Sequence, residues 1–166
     1  MKNYEFILKR RSIRKYKNID IPENDIELLL KAAMHAPIPY KNRTWKLILI
    51  REKNLIGKIS LVSGKQTWIK DANLIIVGVI TPVKRAKKWK IVDITIALEN
   101  IILMVEALGY GSCWVGYFSE KKLKELLNIP LDYQILAYIT VGVKDEIPYK
   151  RDYGKMDDFI SENRFS

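Results

Sequence analysis

"IVDITIALENIILMVEALGYGSCWVGYF", residues 91–118, reads first as a helix and then as a strand, and the rest of the chain has to be arranged around it. From Ile91 to Leu108 apolar residues surround the helix axis, interrupted only by Asp93, Thr95, Glu99, Asn100 and Glu106. A helix that is apolar all round is one that neighbours cover all round. This segment is therefore expected to be the buried central helix of the domain. Gly109 ends it, and "GSCWVGYF", 111–118, is expected to be extended.

On the C-terminal side, Ser119 is placed to cap a lysine-rich helix that reaches Asn128 and cannot pass Pro130. "QILAYITVGV", 134–143, follows as a strand. On the N-terminal side, "KLILIR", 46–51, and "NLIIVGVIT", 73–81, are short apolar runs rich in β-branched residues, hence buried strands with helical turns between them. A helix is expected over 23–35, with acids at its start and Pro37 beyond its end. A shorter one is expected over 3–10, where Tyr4, Ile7 and Leu8 fall at helical spacing. Helices and strands alternate irregularly, which favours an α+β fold over a doubly wound sheet.

At 166 residues, with 48% hydrophobic and 29% charged positions, the chain is expected to form a single domain, 1–166, with a real core. Lys9, Arg10 and Arg11 cut the apolar run Phe6-Ile7-Leu8 too short for a signal peptide. No apolar run is long enough to span a bilayer. No membrane association and a cytoplasmic location are expected. With one cysteine, Cys113, and one histidine, His35, neither an internal disulfide nor a Cys/His zinc site can be built, so no metal is expected. His35 reads as structural, and Cys113, in an apolar segment, as a packing residue whose thiolate is disfavoured.

The net charge of +10 concentrates anionic partners of any kind without choosing among them. Two stretches carry much of it: residues 1–17, with seven basic groups against Glu5, and "VKRAKKWK", 83–90. A dinucleotide fingerprint needs its glycines directly after a strand, whereas "GYGSCWVG" follows a helix. The Gly-Lys pairs at Gly57, Gly64 and Gly154 lack the upstream glycine and following hydroxyl of a phosphate-binding loop. What remains is "LKRRSIRKY", 8–16, where Arg10, Arg11 and Arg14 surround Ser12 at the end of the first helix. These cations either offset the negative end of the helix dipole or gather a phosphate strongly enough to overcome it.

Taken in order, four segments resemble the nitroreductase family of flavin enzymes, in particular its short members. They are "RRSIRKY", "AAMHAPIPYKNRTWKLILI", "DITIALENIILMVEALGYGSCWVGYF" and "IPLDYQILAYITVGVKDEIPYKR". The resemblance implies an α/β sandwich with a mostly antiparallel sheet flanked by helices, in a homodimer that exchanges extended tails. It implies noncovalent FMN at the subunit interface, reduced by NADH or NADPH and reoxidised by a nitroaromatic, a quinone or a similar small acceptor. On this reading Arg10, Arg11, Ser12 and Arg14 hold the phosphate and ribityl end, and Arg151 adds a further cation, with Lys150 as the alternative. Ile38, Pro39 and Asn42 approach the flavin from the partner subunit, while Trp114, Val115 and Gly116 line the ring. Because the cofactor carries the hard chemistry, no side chain is named as catalytic. The chain departs from the family pattern at Ile38, at Arg43-Thr44 and at Asn73, which stands where a proline is usual. Two other readings stay open from the sequence: a basic module for RNA or another polyanion, suggested by the charge and by Trp89 among lysines, and a family member that holds flavin without reductase turnover.

Overall fold

The computed structural model describes residues 4–38, 43–64, 66–82, 89–149 and 152–165. The expectations at Pro39, Asn42, Lys150 and Arg151, and those at 83–88 of the second basic run, lie outside these residues. Runs of β-branched residues build the sheet, as their packing on a pleated surface predicts. The strands β2 (Trp45–Ile50), β3 (Leu74–Ile80), β4 (Gly111–Val115) and β5 (Gln134–Lys144) lie in the order β4–β5–β3–β2, every pair antiparallel. The two-residue β1 (Tyr16–Lys17) joins the last turn of β5, pairing with Val143 and Lys144.

Strand alternation sends the two sides of β3 into two cores. Leu74, Ile76 and Ile80 pack with α2 (Glu23–Met34) and α4 (Lys90–Ala107). Ile75, Val77 and Val79 pack beneath α3 (Lys53–Val62) and α5 (Glu120–Leu127). Every residue of β3 is buried, and each fully covered Ile, Leu or Val contributes roughly 1.5–3 kcal/mol to folding. Gly78 is what lets α4 lie so close: a Cβ there would stand 2.8 Å from Leu98 Cδ1 and 3.1 Å from Ile94 Cγ1. Sheet between helix layers, with antiparallel pairing throughout, is the α+β architecture expected from the sequence.

Most boundaries agree with the periodicity to within a residue or two. The first helix is shorter than 3–10: α1 spans Glu5–Lys9 and buries none of its side chains. The extended segment 111–118 is strand only as far as Val115. Ser119 occupies the N-cap of α5, yet its side chain makes no capping bond; the neighbouring Glu120 carboxylate instead accepts from the Ile135 backbone N–H at 2.9 Å. Burial opposes ionisation of Glu120, but the Ile135 N–H and Lys124 prevail and hold its carboxyl below the usual range.

The largest correction concerns α4. Ile94, Ala97, Leu98, Ile101 and Val105 are buried, but Ile91, Val92 and Thr95 are exposed, so the helix is covered on one side rather than all round. The reason is geometric: within one chain the sheet and α2 reach only the inward side. The uncovered side opens into an apolar trench of about 490 Å³ between α1, α2 and α4, lined among others by Phe6, Leu28, Ala32, Leu103 and Met104. Among the described residues no helix is long and apolar enough to cross a membrane.

Candidate functional site

The segment Arg10–Lys15 leaves α1 and is drawn down onto the sheet. Ile13 donates its backbone N–H to Ser112 O at 2.9 Å, and Ser12 forms a parallel bridge to Ser112 at the head of β4. The buried Ile13 side chain fixes this stretch from below, together with Tyr16 and Ala72. The Tyr16 hydroxyl donates to Ile13 O at 2.5 Å and lies 2.8 Å from Thr140 Oγ1. Burial raises the Tyr16 phenol well above its ordinary value, only partly offset by Thr140, so it stays a neutral donor. Gly142 makes room for its ring, since a Cβ at that position would approach Tyr16 Cδ1 to 2.6 Å.

Asn73 completes this foundation. β3 pairs with β5 only as far as Leu74, and Asn73 bridges the step from β3 to β1: its Nδ2 donates to Lys17 O at 3.0 Å and its Oδ1 accepts from Val143 N at 3.2 Å. A proline at this point could make neither bond. The departure at Arg43-Thr44 is absorbed in a similar way. Thr44, buried, donates to the buried Asp93 carboxylate at 3.0 Å, and the Arg43 guanidinium donates to Met34 O at 3.1 Å at the end of α2.

Above the foundation lies a cleft of about 370 Å³ lined by Arg10, Arg11, Ser12, Arg14, Glu146, Pro148, Tyr149 and Tyr153. The sequence-predicted quartet therefore comes together. Its members play unequal parts. Arg11 donates to Leu8 O at 3.0 Å and Arg10 O at 2.8 Å and lies over the Tyr153 ring, so it is the cation that answers the helix C-terminus. The described ion pairs use neither Arg10 nor Arg14. Arg14 rests its guanidinium over the Trp68 ring, 5.7 Å from the centroid. Its backbone N–H and that of Lys15 both donate to Glu146 Oε1, the latter at 3.1 Å.

Cys113 lies close beneath. Burial pushes its thiol up, against the opposing pull of Arg14, a hydrogen bond with Ser12 and Arg10, in keeping with a packing residue. On β4 the side-chain period of two puts Trp114 on the same side as Ser112, roughly 7 Å further along the strand. Trp114 is 37% exposed. Gly116 is exposed just past the strand, whereas Val115 is buried in the core shared with Tyr138. Ile38 is half-buried just beyond α2, and His35 caps that helix with its backbone.

Glu146, Trp68 and the tail tyrosines were not signalled as site residues by the sequence. The tail carried only a faint sign, the tyrosines Tyr149 and Tyr153 on either side of the basic pair at 150–151. Trp68 sits in a 3-10 turn, Thr67–Asp71, with no motif around it.

A fixed strand edge carries an arginine-rich cleft whose donors are of the kind that bind an anion, with the exposed Trp114 two residues beyond Ser112 on the same strand. The model of the nitroreductase family matches residues 7–81 and 59–143. A protein from Archaeoglobus fulgidus assigned as an NADH dehydrogenase/NAD(P)H nitroreductase is 34% identical over 96% of this chain and 94% of its own length. One from Methanothermobacter thermautotrophicus with the same assignment is 33% identical over 89% of this chain and 80% of its own. The solved structure of an FMN-dependent nitroreductase from Clostridium difficile superimposes with a TM-score of 0.84 at 32% identity, covering 96% of this chain and 98% of that one. The chain belongs to the nitroreductase family and is an NAD(P)H-dependent oxidoreductase.

Proposed function

We propose that this enzyme binds FMN noncovalently, with the phosphate in the Arg10–Arg14 cleft and the isoalloxazine ring toward Trp114, Val115 and Gly116. The observation that carries this reading is the cleft itself: three arginines and Ser12 line one space of about 370 Å³. That donor set fits a phosphomonoester, because charge-assisted hydrogen bonds contribute roughly 1.5–3 kcal/mol each and arginine matches phosphate oxygens two at a time. Bound there, FMN supplies redox chemistry between NADH or NADPH and a small acceptor of the nitroaromatic or quinone class. The protein's part is binding and orientation. Arg10 and Arg14 neutralise the phosphate, Ser12 donates to it, and the backbone around Gly116 approaches the ring without a side chain intervening.

The second half of the reading is a homodimer. The open side of α4 and the adjacent trench expose more contiguous apolar surface than one folded chain needs, the usual mark of a protein interface. The tail supplies matching apolar groups, with Ile147 and Tyr149 almost fully exposed. In this arrangement a second copy covers α4, the tails cross, and Ile38, Pro39 and Asn42 of the second copy complete each flavin site. Arg151, or Lys150 in its place, adds a cation from the tail.

The test is FMN titration of the apoprotein. Arg10→Ala with Arg14→Ala is expected to weaken binding by about 100-fold or more, since two charge-assisted contacts are lost. Unchanged affinity would place the phosphate elsewhere.

A further inference from the structure

The arginine that carries the most exposed charge of the cleft is held at both ends by residues with no role yet. Glu146 receives the Arg14 backbone N–H, and the Trp68 ring underlies the Arg14 head at 5.7 Å. Trp68 itself is firmly seated. It is half-buried in the turn between α3 and β3, and packs against Ile13, Tyr16 and Ala72 on one side and the α3–α5 core on the other. It therefore ties Arg14 to the same foundation that fixes Ile13 and Ser12.

We propose that Trp68 is the positioning residue for Arg14, presenting its guanidinium to the phosphate of the bound flavin nucleotide. The chemistry suits the task. Stacking uses the flat face of a guanidinium and leaves its N–H edges free, and those edges are what grip phosphate. An exposed arginine loses rotamer entropy when a ligand immobilises it. Resting on a rigid indole, Arg14 has given up much of that freedom before the ligand arrives. The contact also makes a specific demand on residue 68: a broad π face, which an aliphatic side chain of similar bulk does not offer.

This inference rests on the phosphate assignment above, and the experiment separates the two. FMN and riboflavin, which lacks the phosphate, are titrated into the wild-type apoprotein and into Trp68→Leu, Trp68→Phe, Arg14→Ala and the Trp68→Leu/Arg14→Ala double variant. Trp68→Leu is expected to weaken FMN about three- to tenfold, the range of one cation–π contact, and to leave riboflavin unchanged. Trp68→Phe should recover most of the loss, and Trp68→Leu should cost nothing further once Arg14 is Ala. A loss shared equally by FMN and riboflavin, or one that persists in the Arg14→Ala background, would show a general structural role and overturn the proposal. Tighter FMN binding by Trp68→Leu would overturn it too, since the indole would then be holding Arg14 away from the ligand. If Trp68→Leu does not fold, Trp68→Met against Trp68→Phe makes the same comparison. If Arg14→Ala alone leaves FMN binding intact, the phosphate assignment has failed, independently of what Trp68 does.

Discussion

Two openings flank the start of the chain, and they are built on opposite principles. The Arg10–Arg14 cleft is polar at its mouth and rigid underneath, where Tyr16, Thr140, Asn73 and Gly142 leave the backbone of residues 12–17 little room to move. The trench between α1, α2 and α4 is mainly apolar, with Lys31, His35 and Asn100 at its edges, and α1, which buries none of its own side chains, contributes Phe6 to it. A charged rim on a fixed base suits a small anionic ligand, whose few contacts must be geometrically exact to matter. A mainly apolar trench beside a loosely seated helix suits a protein surface, which can bury large area and bring its own shape. On the proposed reading the cleft is the site one chain largely builds, and the trench is the surface a second copy would cover.

The largest effect that would break this contrast is at the cleft. Arg10→Ala with Arg14→Ala removes two cations that the described ion pairs leave unused, and the loss of FMN affinity, about 100-fold or more, should come without loss of fold, seen as an unchanged far-ultraviolet circular dichroism spectrum. The trench is tested by charge. Leu28→Glu with Ile91→Glu alters two exposed apolar side chains and should barely change the stability of one chain, but should raise the dimer dissociation constant by about tenfold or more, as analytical ultracentrifugation would register. Both variants holding FMN equally well would erase the distinction between the two openings.

A smaller effect sharpens the account of the foundation. Asn73→Ala strips partners from Lys17 O and Val143 N, at a cost of roughly 1–3 kcal/mol in urea unfolding, and should weaken FMN binding only a few-fold because the arginines themselves remain. Smaller still is a pH dependence that belongs to the scaffold. Burial raises the Tyr138 phenol to about 12, and a hydrogen bond with Asp25, with burial second, raises Tyr110 to about 12. Each group binds its proton more tightly in the folded state than at the unfolded value of about 10, so its stabilisation is complete below pH 10 and is lost as pH rises toward 12. Tyr138→Phe should flatten that decline in a series of thermal melts between pH 9 and 12.

How far the sequence could lead depended on whether a feature was local. Helix α4, the four long strands and the cluster Arg10, Arg11, Ser12 and Arg14 each announce themselves within a dozen residues, by period, by β-branched runs or by charge, whereas the two-residue β1, made by its pairing with β5, does not. The burial of α4 was misjudged for a physical reason: an apolar surface records that something covers it, not whether the cover comes from the same chain. Asn73 was visible only as a departure from the family pattern. Its meaning depends on Lys17 and Val143, far away in the chain and adjacent only in the folded sheet. Trp68 and Glu146 gave no signal, because an aromatic in a polar turn and an acid in a polar tail are ordinary until the fold sets them on either side of Arg14. Ser119 shows a mixed case: it marks the start of α5 as its local signal implies, but its side chain makes no capping bond.

The central claim, that the basic corner holds a reducible flavin mononucleotide, is tested most directly by a visible absorption spectrum. The purified protein, supplied with FMN and freed of excess by gel filtration, is recorded under nitrogen before and after addition of NADPH, then NADH. The account predicts a yellow protein with one FMN per chain, bleached by at least one of the two nicotinamides and recoloured by a quinone or nitroaromatic acceptor. A colourless protein that passes through the column without retaining FMN would contradict it.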